Sequence, residues 1–429
     1  MGGRYSAGMR TILPTLFLAV SYSALLPVFA QEPSAPPTAI PAQATYESLQ
    51  VVPAAQLLPA NMLRGAGYVV DERVGTDGYL GRFLLRTDYG VFECHGREML
   101  AIRIDEVRAL DELSTINKGQ AFLQAAGNAV AKPLTAAAGI ARDPVGSVAK
   151  VPQGLAGLFK RAGDGLQSAG KAMSNEANKA HQVMNGENPD QAANPPSRED
   201  PFGYNINRNR WADEVGADPY TSNTVLAAKL SEVAAVTYTT ELVAGLGVGA
   251  VAAPLSMVGN VDKFVLTEPP VKIRERIAAE LAQLQCAPAA IQTMLANPAI
   301  SPTQMRRLSS AMMALGPIAG LDVALQLAAV VESEVQVRFL CASLESLAAR
   351  KAASGGYKSL VAIAPVPAAI RADDSLLVCA PVDVLPWIES TENFAARAAA
   401  YSNKALVLDG QITVSAKAGL EKLGWTISR

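Results

Sequence analysis

Histidine is nearly absent from this 429-residue chain, in which His95 and His181 are the only two. So few imidazoles argue against a histidine-based metal centre. Cysteine is scarce as well: Cys94, Cys286, Cys341 and Cys379 stand at spacings that match no zinc knuckle. Charge of either sign is in short supply, with a formal net charge of −2. Proteins that bind nucleic acid usually carry a basic excess, so nucleic acid is not an expected partner. The most informative absence is local, for no acidic residue occurs before Glu32.

What fills that stretch is a basic start and an apolar core. Arg4 and Arg10 supply the positive end, and Thr11 to Ala30 is uncharged and rich in Leu, Val and Ala. Pro27 ends the apolar helix, and Val28-Phe29-Ala30 presents small or medium residues for cleavage. Residues 1–30 are therefore expected to be a secretory signal peptide, with an uncleaved anchor as the alternative. No cysteine lies near the cleavage point, and Arg4 stands alone, so neither a lipoprotein anchor nor a twin-arginine route is expected. Losing Arg4 and Arg10 takes the formal charge from −2 to −4. The expected setting is exported, in the periplasm or cell envelope. Disulfides are permitted there, and a bridge between Cys94 and Cys379 is expected because both lie in predicted strands. Cys286 and Cys341 sit in apolar helical patterns and read equally well as buried thiols. Cys94 and His95 are neighbours on a strand and point to opposite faces, so they do not form a shared metal site.

Composition then divides the chain. Residues 31–44 are a Pro/Ala-rich linker. Residues 45–116 read as a small α/β unit: strands at Gly67–Val74, Leu80–Thr87 and Val91–Cys94 precede a helix with Leu100, Ile104, Val107 and Leu110 on one face. Residues 117–200 are a basic Ala/Gly/Lys-rich helical segment ending in a loop expected to be disordered. From Lys118 to Ala180 there are eight Lys or Arg against three Asp or Glu. Residues 201–354 form a helical domain. Thr221-Ser222-Asn223 offers N-caps for a helix from Thr224, and Ser301-Pro302-Thr303-Gln304 is a capping box. The longest helix is expected over Ile318–Ala353. Residues 355–429 return to α/β, and a sheet shared with 45–116 is left open by the sequence. The predicted class is α+β and helix-rich, with strand-bearing ends flanking a mostly helical middle.

Several motifs imitate chemistry. Gly165 to Lys171 has P-loop spacing, but Ala172 stands where a hydroxyl should bind magnesium, and no buried strand precedes it. Gly247 to Ala252 fits a relaxed dinucleotide fingerprint without a β-α-β unit around it. It belongs instead to the uncharged run Leu242–Val261, which is near membrane-span length but only mildly hydrophobic, so a buried helix or hairpin is the expectation. Ser147-x-x-Lys150 and Tyr401-Ser402-Asn403 resemble two motifs of penicillin-binding enzymes, whose third is missing. Asp373-Asp374 reads as a turn before a strand, and Glu332 and Glu334 lie two apart on a helix and do not face each other. No catalytic, cofactor or metal residue is assigned. The basic segment is the candidate contact surface, through Lys150, Leu155, Leu158, Phe159, Lys160, Arg161 and Lys171. Cationic amphipathic helices of this kind bind anionic membrane surfaces.

Asp200-Pro201-Phe202-Gly203-Tyr204, Arg210-Trp211-Ala212, and Gly216-x-Asp218-Pro219-Tyr220-Thr221-Ser222-Asn223 form one set of motifs. With Asn297-Pro298-x-x-Ser301-Pro302-Thr303 and Ala380-Pro381-Val382-Asp383, the chain from about Leu63 onward resembles a group of exported Gram-negative bacterial proteins of unassigned function. The resemblance implies a cell-envelope setting and transfers no catalytic residue. The expected function is non-enzymatic binding or assembly, with an anionic membrane surface or an envelope protein as partner. The alternatives are a periplasmic hydrolase built on carboxylates and the Arg208–Trp211 turn, and insertion into a membrane through 242–261.

Overall fold

A computed structural model describes residues 46–49, 51–116, 202–240 and 261–429. The basic-segment contacts Lys150, Leu155, Leu158, Phe159, Lys160, Arg161 and Lys171 lie outside these residues, as do the leader, the linker and residues 242–260.

Alternating side chains build the first sheet. Strands β5 (Gly81–Thr87) and β6 (Gly90–His95) form an antiparallel hairpin that pairs Phe83 with Cys94 and Leu85 with Phe92. Those four side chains point into one core. Arg82, Leu84, Glu93 and His95 therefore take the opposite face. On its other side β5 meets β3 (Tyr68–Val70) and β4 (Arg73–Thr76), which interrupt the single strand expected there at Asp71-Glu72. The short strands β1 (Val52–Pro53) and β2 (Arg64–Gly65) extend this sheet, and α1 (Ala54–Leu57) and α2 (Ala60–Leu63) lie between them in the chain. Helix α3 (Arg97–Ile116) buries the expected stripe of Leu100, Ile104, Val107 and Leu110 against the sheet. Helices α4 (Phe202–Glu214) and α5 (Thr224–Thr240) add Trp211, Leu226 and Leu230 to the same core. Residues 202–240 thus share the core of the N-terminal unit. Full burial of a leucine is worth roughly 1.5–3 kcal/mol, so the leucines of α3 and α5 dominate this docking. Asn223 caps α5, its Oδ1 accepting from the Val225 N–H at 3.1 Å.

The helical layer comprises α6 (Lys263–Thr267), α7 (Pro270–Gln283), α8 (Pro288–Ala296), α9 (Pro302–Leu315), α10 (Asp322–Ala329) and α11 (Glu334–Arg350). Proline opens α7, α8 and α9, where its missing N–H costs nothing and its φ suits the first turn. The capping box at Ser301 forms as expected, the Ser301 N–H donating to Gln304 Oε1 at 2.9 Å. The single helix expected over 318–353 is instead α10 and α11. Asn297 Nδ2 donates to the Ala328 and Val331 carbonyls, both at 2.9 Å, and so ends α10 from a distant loop. The Gln336 side chain accepts from the Glu332 N–H at 2.8 Å at the start of α11. Apolar spacing continues across the break, which is why periodicity alone conceals it.

The second sheet has the order β13-β11-β9-β8-β7, built from β7 (Tyr357–Ile363), β8 (Val366–Arg371), β9 (Leu376–Ala380), β11 (Lys404–Leu408) and β13 (Trp425–Ser428). Strands β9, β11 and β13 are parallel, with α12 (Glu389–Arg397) and α13 (Val414–Lys422) between them in the chain. One face of this sheet, including Leu377, Cys379 and Val407, closes the core of the helical layer. The other, with Leu376, Val378, Leu406 and Leu408, packs with Phe394 of α12, Leu420 of α13 and Trp425. A separate parallel pair, β10 (Val384–Leu385) with β12 (Gln411–Ile412), sits beyond β9 and β11 in the chain.

The chain is therefore α+β and helix-rich, with strand-bearing ends flanking a mostly helical middle. Among the described residues, the N- and C-terminal strands form separate sheets, so the shared sheet that the sequence left open is not formed. The Cys94–Cys379 bridge is not formed either, and all four cysteines are free and buried. Cys94 faces the N-terminal core and Cys379 the helical layer, so their thiols are committed to different clusters. Among the described residues, no helix is long and apolar enough to cross a membrane.

Candidate functional site

Parallel α/β sheets bind ligands beyond the carboxyl ends of their strands. Here β9 runs out into Pro381-Val382-Asp383 and β11 into Asp409-Gly410. That position is filled by the chain's own turn, residues 76–81. The Tyr79 carbonyl accepts the N–H groups of Asp383 at 2.8 Å and Val384 at 3.1 Å. Asp383 Oδ2 in return accepts the Gly81 N–H at 2.8 Å. Its Oδ1 takes Arg97 Nε at 2.8 Å and the Arg97 N–H at 3.3 Å, while Arg97 Nη2 reaches the Asp409 carbonyl at 3.0 Å. Asp383 is only 4% exposed. Burial pushes its carboxyl above the usual aspartate range, and the Arg97 guanidinium and Gly81 N–H oppose that rise without cancelling it. Gly410 is required where β10 and β12 meet, since a Cβ there would strike the carbonyl oxygens of Val382 and Asp383.

The turn is preformed by its own side chains. Asp77 Oδ1 accepts the N–H groups of Tyr79 at 2.9 Å and Leu80 at 2.8 Å, and Thr76 Oγ1 accepts that of Gly78 at 3.0 Å. The second oxygen of Asp77 is buried without a hydrogen-bond partner. The Tyr79 hydroxyl lies 2.7 Å from Ser390 Oγ at the start of α12, and burial pushes its pKa up to about 12. Beside the tyrosine is an apolar cavity of about 20 Å³ bounded by Val382, Thr391, Phe394 and Leu406. That is room for about one water.

A second polar cluster occupies the outer face of the β5–β6 hairpin. Glu93 Oε1 accepts from Arg82 Nε at 2.9 Å and from Arg82 Nη2, and His95 Nε2 lies 3.0 Å from the same oxygen. Arg82 is 3% exposed at its side chain, whereas Glu93 and His95 retain about a fifth of theirs. Burial raises the Glu93 carboxyl, but His95 and Arg82 together outweigh it and hold Glu93 below the usual range. Arg82 Nη1 and His95 Nδ1 are buried and unpartnered.

A third group ties α3, α5, α9 and α11 together. Glu106 accepts from Arg103 at 2.6 Å and from Asn223 at 3.0 Å, and also from Thr221. Arg307 bridges Glu98 at 2.7 Å and Glu345 at 2.8 Å. Its donors and acceptors satisfy one another, so its evident role is to fix helix positions.

Compared with known proteins, the chain matches no family model, no curated protein and no solved structure. Its own geometry must carry the functional reading. Among the described residues, no three His, Cys, Asp or Glu side chains are arranged to hold a metal ion. Cys94 and His95 do point to opposite faces, one in the core and the other beside Glu93. Asp373 and Asp374 form the expected turn, in which Asp373 Oδ1 accepts the Ser375 N–H at 3.1 Å. Glu334 is engaged with Arg338 at 2.6 Å, and Trp211, placed in a turn by the hydrolase alternative, is a buried residue of helix α4. Sequence reasoning missed Tyr79, Arg82, Glu93 and Arg97. Opposite charges at alternating strand positions were the available signal for Arg82 and Glu93. Nothing local marks Tyr79 or Arg97 as partners of Asp383.

Proposed function

We propose that the chain is an exported cell-envelope protein that works by binding or assembly, with the basic segment 117–200 as its contact surface for an anionic membrane or an envelope partner. The observation that carries the non-catalytic part is the filling of the β9–β11 carboxyl-end crevice by residues 76–81, which commits Asp383 to backbone and Arg97. Export rests on Arg4, Arg10, the apolar run to Ala30 and the absence of acid before Glu32. Membrane contact rests on the excess of Lys and Arg between Lys118 and Ala180.

Co-sedimentation of residues 31–429 with anionic and neutral liposomes, with and without residues 118–180, tests the surface. The expected result is binding that prefers anionic lipid, weakens with salt and disappears on deletion. Absence of binding to either lipid sinks membrane contact and leaves an envelope protein as the partner. A carboxylate hydrolase is the second reading, favoured by the buried, unpartnered Asp77 Oδ2. It requires that D77N abolish a measurable hydrolysis, whereas the binding reading requires D77N to leave liposome binding intact.

A further inference from the structure

Side chains on the outer face of an antiparallel sheet stand in water unless another element lies over them. On the outer face of the β5–β6 hairpin they do not stand in water. Leu84 is 4% exposed and Val91 9%, and among the described residues the two form an apolar cluster by themselves. The side chain of Arg82, on the same face, is 3% exposed. Val69, which opposes Arg86 on that face, is 41% exposed, so the covered area stops short of β3. The cover is also apolar in character. It keeps water from Arg82 Nη1 and His95 Nδ1 and gives neither a hydrogen-bond partner, although buried polar atoms almost always find one.

We infer that the stripe Val151, Leu155, Leu158 and Phe159 of this chain's own basic segment packs on that face, over Leu84 and Val91. The four stand at the i, i+4, i+7 and i+8 positions of one helical face. No other nine-residue run in 117–200 holds two leucines and a phenylalanine. The chain also enters that segment beside the hairpin. Tyr89, in the β5–β6 turn, donates to Asp111 Oδ1 at 2.8 Å and lies 3.2 Å from Ser114 Oγ, so the last turns of α3 sit against it. Among the described residues β5 is the only strand paired with β6, which leaves the outer edge of β6 open to a chain leaving Ile116. At up to about 3.3 Å per residue, 117–150 easily spans the way round it. The other candidate covers join elsewhere. Residues 242–260 end at Val261, which packs on the helical layer, and the linker ends at Tyr46, whose hydroxyl donates to Glu392 of α12 at 2.7 Å. Docked on the sheet, the stripe cannot lie in a bilayer, so membrane contact through it requires release. The docking itself needs no lipid and stands apart from the membrane reading.

Maleimide labelling of V91C in the full chain, without lipid, tests the contact, the four native cysteines being buried. The new thiol is expected to react slowly, and at least about tenfold faster in a chain that also carries L155S, L158S and F159S. Loss of a single buried leucine already corresponds to that factor. V69C, on the uncovered part of the face, should label rapidly in both backgrounds. Should V91C fail to fold by circular dichroism, diethyl pyrocarbonate modification of the native His95, resolved from His181 by mass spectrometry, should accelerate in the triple-serine chain in the same way. Fast labelling at position 91 in the otherwise unsubstituted chain overturns the proposal by showing an open face. Slow labelling that survives the triple substitution overturns it as well. So does protection removed by L242S and L246S instead, which assigns the cover to 242–261, or protection that falls on dilution, which assigns it to a second copy of the chain.

Discussion

Asp383 and Glu93 are both carboxylates drawn inside the protein against an arginine, yet burial prevails at the first and the partners prevail at the second. Asp383 loses nearly all contact with water and faces Arg97, whose side chain is a third exposed and shared with the Asp409 carbonyl. Its carboxyl is raised. Glu93 keeps about a fifth of its surface and receives both Arg82 and His95, so its carboxyl is lowered. The difference separates two uses of a buried ion pair. At Asp383 every oxygen is engaged and the group closes a seam between the two strand-bearing parts. At Glu93 one carboxylate oxygen takes both partners, and each of them keeps a buried nitrogen without a hydrogen-bond partner.

The largest effect that would sharpen the contrast is expected from D383A. It strips Arg97 and the Gly81 N–H of their acceptor together, and should cost about 3 kcal/mol in urea unfolding, near the lower end for breaking a buried pair. R82M should cost less, about 1–2 kcal/mol, because Glu93 retains His95 and water, and the orphaned Nη1 disappears with the side chain. An R82M penalty equal to that of D383A would break the distinction. The smallest effects are in pH dependence, and they have opposite signs. The depressed Glu93 carboxyl contributes stability that is complete above its ordinary value and is lost as pH falls through its folded value. The raised Asp383 carboxyl holds its proton when the unfolded chain has released it, so it favours folding as pH falls through that window. Urea midpoints measured from neutral to acidic pH should therefore decline less steeply in E93Q than in the unsubstituted protein, and more steeply in D383N.

Much of the secondary structure was legible because it is written locally. The capping box at Ser301 and the stripe on α3 each depend on residues within a few positions of one another. Strand β8 is hard to see in the sequence, since Pro365 and Pro367 stand at its start, yet Ala364 takes a positive φ of 53° and lets a two-residue turn return the chain. Pro367 then pairs only with β7, and the residues paired with β9 begin at Ala368, so its missing N–H is harmless. The break between α10 and α11 escaped because its cap, Asn297, lies more than 30 residues away. The seam was illegible for the same reason at greater range, since Gly81 and Asp383 are 302 residues apart. Periodicity specifies which face of a strand is buried, but not which distant loop comes to cover its end.

Native-state hydrogen exchange at the Gly81, Asp383 and Val384 amides tests most directly whether residues 76–81 close the carboxyl-end crevice. All three should exchange slowly and with similar protection, and D383N should release Gly81 more than Val384, whose acceptor is the Tyr79 carbonyl. Exchange of Gly81 and Val384 at the rate of an open loop in the unsubstituted protein would contradict the closure, and would return the ends of β9 and β11 to consideration as an open binding site.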